Sequence, residues 1–169
     1  MKQNQNVAKK CAKSGIIAAL YVMLTMIFYP ISYAGLQVRI AEALSVLPLF
    51  YGEAILGLTV GCLISNLIGS NGLMDVVFGT LATFIASNLT YIIGKKVKGK
   101  AVFLLGGIPP VCVNAVIVPF TFLLTLSKLK ELYFISCLQV FCGQALAVYL
   151  IGAPFYFALR KRQNKKGLL

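Results

Sequence analysis

The chain has 169 residues, of which 59% are hydrophobic and four are acidic, and its formal net charge is +12. This composition excludes a soluble domain of this size, because the uncharged stretches are as long as a membrane span. Five stretches contain no charged residue, and a sixth, shorter stretch carries charges only at its ends: 14–38, 54–74, 76–94, 101–127 and 132–159, with 40–51 as the short one.

The apolar stretches predict helices. In a bilayer every backbone amide must be satisfied within the protein, which leaves helices or a closed barrel, and the alternation typical of barrel strands is missing. We therefore predict an all-α membrane protein, a single integral membrane domain over 1–169 built as a six-transmembrane-helix bundle. The expected helices lie at roughly 14–30, 39–51, 54–70, 75–94, 102–126 and 131–159.

The first predicted helix carries small residues four apart, which let another helix approach closely. Gly15 and Ala19 form one such pair, and Ala8 and Ala12 form another on a neighbouring line. Two interpretations stay open for this stripe. It packs inside the bundle, or it docks the chain onto a separate membrane protein, with Ala12, Gly15 and Ala19 as the contact residues.

The polar residues near the predicted outer face are candidates for a ligand site, because charge in a membrane helix is costly and calls for a reason. Arg39 and Glu42, three apart, share a helix face, and Asp75 begins the fourth helix. The candidate ligand-binding residues are Gln37, Arg39, Glu42, Asn71, Asp75, Asn114 and Gln139. The competing interpretation is structural: Arg39 pairs with Glu42, and Asp75 caps its helix.

The fifth predicted helix contains Pro109, Pro110 and Pro119. Proline lacks the backbone N–H and disrupts the preceding turn of a helix, so a kink or an unwound stretch is expected there.

Enzyme chemistry finds little support in these residues. The chain has no histidine and no glycine-rich phosphate loop, so we predict no enzyme, no cofactor and no nucleotide site of its own. Its five cysteines are scattered through apolar stretches, which predicts neither a disulfide nor a metal site. A binding subunit of a transporter and a self-sufficient small-solute transporter are the main hypotheses that remain.

The basic residues predict the orientation in the membrane. With six spans, thirteen of the sixteen Lys and Arg residues fall on one side, which identifies that side as cytoplasmic. These thirteen precede the first helix, fill the loop after the fourth or follow the sixth: Lys2, Lys9, Lys10, Lys13, Lys95, Lys96, Lys98, Lys100, Arg160, Lys161, Arg162, Lys165 and Lys166. Both termini are thus expected in the cytoplasm, with a multi-pass chain in the membrane. The basic groups would contact membrane lipids and not nucleic acid.

Three segments resemble the QueT family over most of the chain. They are QVRIAEALSVLP at 37–48, GLTVGCLISNLIG at 57–69 and DVVFGTLAT at 75–83, and AALYVMLT at 18–25 matches as well. The resemblance implies the substrate-binding S component of an energy-coupling factor (ECF) transporter, located in the plasma membrane of a prokaryotic cell. Such a subunit has six helices and works with a transmembrane coupling protein and two ABC ATPases. The implied ligand is a queuosine precursor, a deazaguanine base; an S component for a different vitamin-like substrate is the alternative.

The predicted topology is tested by cysteine labelling from outside intact cells, in a background without the native cysteines. Asn71→Cys should react with an impermeant reagent, and Lys98→Cys should react only after the membrane is opened. Labelling of Lys98→Cys from outside would contradict the topology.

Overall fold

The computed structural model describes residues 2–32, 39–69, 72–99, 101–125 and 130–165. The described residues form seven α-helices, one 3₁₀-helix and one π-helical segment. The α-helices are α1 (Lys2–Ile27), α2 (Tyr29–Ser32), α3 (Glu53–Ile68), α4 (Leu73–Lys96), α5 (Ala101–Thr125), α6 (Lys130–Ala145) and α7 (Gly152–Lys165). A 3₁₀-helix, Ile40–Leu49, precedes α3, and a π-helical segment, Leu146–Ile151, joins α6 to α7.

The helices form a bundle in which α1 packs on α3, α3 on α4, α4 on α5 and α5 on α6. Four helical stretches are long and apolar enough to cross a membrane: Gln5–Ile27, Leu73–Lys96, Ala101–Phe120 and Tyr133–Lys165. The 3₁₀-helix and α3 are shorter apolar helices. The all-helical class is confirmed, while the six spans and the orientation of the termini remain predictions.

The first helix begins well before its predicted start near residue 14: α1 includes the lysine-rich segment and begins at Lys2. Nothing in that segment stops a helix: it has neither proline nor glycine before Gly15. At the other end α1 stops at Ile27, and the short α2 contains Pro30.

The predicted second span, 39–51, is a 3₁₀-helix of ten residues at the centre of the bundle. It contacts α1, α3, α4, α5, α7 and the π-helical segment, and eight of its residues are buried. At about 2 Å per residue this helix is roughly 20 Å long, shorter than the 30 Å hydrocarbon core. Its apolar character on all sides, which suggested a membrane span, reflects burial among other helices.

The fifth helix is continuous from Ala101 to Thr125 despite its prolines, so the expected unwound stretch is not present. Pro110 cannot donate to the carbonyl of Gly106, four residues earlier. The hydroxyl of Thr90 on α4 donates to that carbonyl instead, at 3.0 Å. A neighbouring helix therefore satisfies the group that the proline leaves without its usual partner.

The π-helical segment keeps one stripe of residues buried along the last span. The buried positions recur every four residues, at Val140, Gln144, Val148, Gly152 and Tyr156. In a regular α-helix each step of four residues would rotate the stripe by about 40°. The wider turns of the π-helix take up this rotation, so Gln144 and Tyr156 both face the bundle.

The contact between α1 and α3 depends on two glycines. A Cβ atom on Gly57 would lie 2.8 Å from the Cβ atom of Ile17, and one on Gly61 would lie 2.7 Å from that of Tyr21. Small residues four apart on α3 thus allow α1 to approach closely.

Gly61→Ala should lower the free energy of unfolding by about 1–3 kcal/mol, because its methyl group overlaps Tyr21 and forces the two helices apart. Gly15→Ala is the matched control, since nothing lies within 4 Å of a Cβ atom there. Unfolding in mixed micelles titrated with SDS measures both. Equal stability of the two variants would show that the α1–α3 contact is looser than the structure describes.

Candidate functional site

A buried ion pair joins the 3₁₀-helix to α4. Arg39 immediately precedes the 3₁₀-helix, and Asp75 lies in the first turn of α4. One guanidinium nitrogen of Arg39 lies 3.0 Å from Oδ2 of Asp75, and the two side chains are only 6% and 5% exposed. Arg39 thus pairs with Asp75 and not with Glu42, the partner in the structural interpretation of the sequence.

Glu42 is held by two hydroxyl groups. The Tyr21 hydroxyl on α1 donates to Oε1 at 2.5 Å, and the Ser45 hydroxyl donates to Oε2 at 2.7 Å. With three residues per turn, a 3₁₀-helix aligns residues three apart, so Arg39, Glu42 and Ser45 lie in one row. The α-helix expected from the sequence would have turned Ser45 out of this row.

A small cavity lies beside this row. Its volume is about 10 Å³, room for roughly one water molecule. The residues that line it belong to the start of the 3₁₀-helix, to α5 and to the second half of α6: Arg39, Glu42, Asn114, Val118, Val140 and Gln144. The cavity therefore combines a guanidinium, a carboxyl group and two amide side chains from three parts of the bundle.

The two amides that line the cavity have polar atoms without hydrogen-bond partners among the described residues. Asn114 and Gln144 are 2% and 4% exposed, and Nδ2 of Asn114 and Oε1 of Gln144 are unpaired there. An unsatisfied buried polar group costs about 1–3 kcal/mol, so such groups are rare in folded proteins. One spare donor and one spare acceptor at the same cavity suit a ligand that offers both.

The charges of the cluster also limit the chemistry of a ligand. It contains one guanidinium group and two carboxyl groups, and the guanidinium is paired with Asp75. Glu42 accepts hydrogen bonds from hydroxyl groups, and among the described residues it forms no ion pair. The cavity therefore favours a ligand rich in N–H donors or carrying positive charge over an anion.

The structure brings together Arg39, Glu42, Asp75 and Asn114 from the predicted site residues. Gln139 is half-buried and is not among the residues that line the cavity. Gln37 and Asn71 lie outside the described residues. Each of these residues stays a prediction as a ligand contact.

Sequence reasoning missed two residues of this region, Tyr21 and Gln144. Tyr21 is fully buried and binds Glu42, although nothing separates it in sequence from the other aromatic residues of the apolar stretches. Gln144 could have been found, because it is one of two glutamines in the last span and lies four residues from Val140. In the structure the packing of α6 on α5 buries it.

The small-residue stripe of α1 is exposed on the surface of the bundle. Ala12, Gly15 and Ala19 are exposed, whereas Ala18 and Tyr21 are buried against α3. These three positions are therefore accessible to another protein or to lipid. The docking interpretation of the stripe stays a prediction.

The chain resembles known transporters. The family model described as QueT transporter matches residues 11–161. The curated relative "Queuosine precursor transporter QueT" from Lactococcus lactis subsp. cremoris (strain MG1363) is 38% identical over 85 residues. This match covers 49% of the chain and 50% of the relative, so it spans about half the length of each. No solved structure gives a significant match.

Proposed function

Because the chain belongs to the QueT transporter family and is a multi-pass membrane protein, we propose that it binds a queuosine precursor for import. In this proposal it is the substrate-binding S component of an ECF transporter. The chain captures the deazaguanine base, and a transmembrane coupling protein with two ABC ATPases supplies the work of transport. No catalytic role is assigned to the chain itself.

One observation carries the proposed binding site: Asn114 and Gln144 both line the cavity, and each is buried with an unpaired polar atom. A guanine-like base presents a carbonyl acceptor next to N–H donors along one edge. Nδ2 of Asn114 would donate to the carbonyl, and Oε1 of Gln144 would accept from an N–H group. The two unsatisfied groups would then be paired only when the base is bound.

Glu42 has the role of the charged acceptor in this proposal. A carboxylate accepts two neighbouring N–H groups, and it would also favour the cation of an aminomethyl-substituted base. Tyr21 and Ser45 hold this carboxyl group in place. Asp75 keeps the guanidinium of Arg39 paired, so that its charge does not repel a cationic ligand.

The cavity must widen before a base can enter, because ligand pockets typically measure about 300–1,000 Å³. The cavity lies between the 3₁₀-helix, α5 and α6, so a separation of these elements would enlarge it. We propose that ligand entry involves this separation and that the bound base holds the elements apart.

The proposed surface for the coupling protein is the exposed small-residue stripe of α1: Ala12, Gly15 and Ala19. Small side chains allow the backbones of two membrane helices to approach closely. Because α1 uses Ala18 and Tyr21 for its contact with α3, the stripe is available on a different face.

The ligand assignment is tested by calorimetry of the purified chain with deazaguanine bases and with a panel of vitamins. Gln144→Leu and Glu42→Gln should each weaken binding of the base. The neutral hydrogen bond of Gln144 accounts for about 0.5–1.5 kcal/mol, and the charge-assisted bond of Glu42 for about 1.5–3 kcal/mol. The range given for Glu42 corresponds to a loss of roughly tenfold or more in affinity.

Gln163→Leu is the matched control for Gln144→Leu, since Gln163 lies on α7 and does not line the cavity. It should bind the base nearly as the unaltered chain does. Wild-type affinity in both Gln144→Leu and Glu42→Gln would place the site elsewhere. Binding of a vitamin in preference to the deazaguanine would overturn the ligand assignment.

The docking assignment is tested by the double variant Gly15→Leu with Ala19→Leu. Ligand binding to the isolated chain should change little, because both positions are exposed and neither lines the cavity beside Glu42. Uptake in cells that contain the ATPase module should collapse, since the bulky side chains block close helix contact. Ala158→Leu, at an exposed alanine of α7, is the control and should transport normally. Unchanged uptake in the double variant would exclude this stripe as the docking surface.

A further inference from the structure

A second cavity lies at the other end of the 3₁₀-helix, far from Arg39 and Glu42. Its volume is about 370 Å³, and it is enclosed by the residue after the 3₁₀-helix, the end of α4, the α4–α5 turn, the start of α5 and α7. Three of its lining residues are cations: Lys95, Lys98 and Arg160. No carboxylate is among the described residues that line it.

Arg160 is held against an aromatic floor. Arg160 donates from a guanidinium nitrogen to the Tyr156 hydroxyl at 2.9 Å, and its guanidinium also lies 5.8 Å from the centre of that ring. Tyr156 is 2% exposed and stacks on Phe103, with ring centres 4.7 Å apart. This packing fixes the position of Arg160, while its other N–H groups can bind a ligand.

The start of α5 adds to the positive potential of this cavity. Gly99 and Val102, on either side of the first residue of α5, both line it. Gly99 has a φ of +88°, a conformation that glycine adopts without strain, and it turns the chain sharply before the helix. The positive end of a helix dipole and free backbone N–H groups favour an anion at such a position.

We propose that this cavity binds the phosphate of an anionic phospholipid. The adjoining surface argues for a lipid over a free anion, because Phe157 on α7 is 59% exposed. Its ring centre lies 5.3 Å from that of the cavity residue Tyr156, so the apolar surface begins next to the cavity. A phosphodiester would occupy the cationic cavity, and its acyl chains would cover this surface.

The experiment is native mass spectrometry of the purified chain, with a thermal unfolding assay, in neutral detergent with added phosphatidylglycerol. Phosphatidylcholine with the same acyl chains and inorganic phosphate form the other two arms. We expect phosphatidylglycerol to give a retained one-to-one adduct and to raise the unfolding temperature. The double variant Lys98→Gln with Arg160→Gln should lose this affinity on the order of tenfold or more.

The matched control is Lys9→Gln with Lys161→Gln, which removes the same charge at exposed positions that do not line the cavity. It should lose affinity only a few-fold. If the control lost as much affinity for phosphatidylglycerol, the binding would be due to general charge attraction, which would contradict a specific site in this cavity. Equal binding of phosphatidylcholine would overturn the requirement for an anion, and equal binding of inorganic phosphate would overturn the assignment to lipid.

A single substitution keeps the test decisive if the double variant does not fold. Lys98 is exposed in the α4–α5 turn, so Lys98→Gln should fold normally. It should weaken the binding of phosphatidylglycerol, and Lys98→Arg should restore it. Unchanged affinity in Lys98→Gln would contradict the proposal.

Discussion

The ion pair between Arg39 and Asp75 removes two opposite charges from solvent in a chain with four acidic residues. Such a pair tolerates little displacement, because leaving either charge buried alone costs about 3–5 kcal/mol. It therefore holds the start of the 3₁₀-helix against the first turn of α4. Glu42 and Ser45 follow Arg39 on the same side of the 3₁₀-helix and are hydrogen-bonded to each other. Glu42 also accepts a hydrogen bond from Tyr21 on α1. Polar contacts thus align three helices whose apolar packing alone has little directional preference.

Small residues let the bundle close around the central helix. A Cβ atom on Gly94 would lie 2.8 Å from the Cα atom of Leu49, and one on Gly152 would lie 3.1 Å from the carbonyl oxygen of Ala43. The same principle divides α1 into two faces. The face with Ala18 and Tyr21 packs on the glycines of α3, and the neighbouring face with Gly15 and Ala19 is exposed.

The 3₁₀-helix also relates the two polar cavities. Arg39, directly before it, lines the small cavity beside Glu42, and Phe50, directly after it, lines the basic one. The two ends are separated by roughly 20 Å, the length of ten residues in this conformation. An α-helix of ten residues would cover only about 15 Å. The stretched helix thus allows a short segment to contribute to both cavities.

The sequence alone was sufficient for the all-helical membrane class and the family resemblance. Both depend on local properties: the length of uncharged stretches, the residue types in them and the order of the motifs. It also singled out Arg39, Glu42, Asp75 and Asn114, because charged and amide groups are rare in apolar helices and stand out one by one.

Tertiary structure decided which of these groups meet. Arg39 pairs with Asp75 because α4 approaches the start of the 3₁₀-helix, a contact between residues 36 positions apart. The 3₁₀ conformation itself arises where ten residues are enclosed by other helices, and an apolar stretch of that length looks the same as a short membrane helix. Tyr156 stays on the same buried side as Gln144 because a π-helical segment between them changes the register of the last span. Local composition carries no record of these partners, since each depends on how distant helices pack.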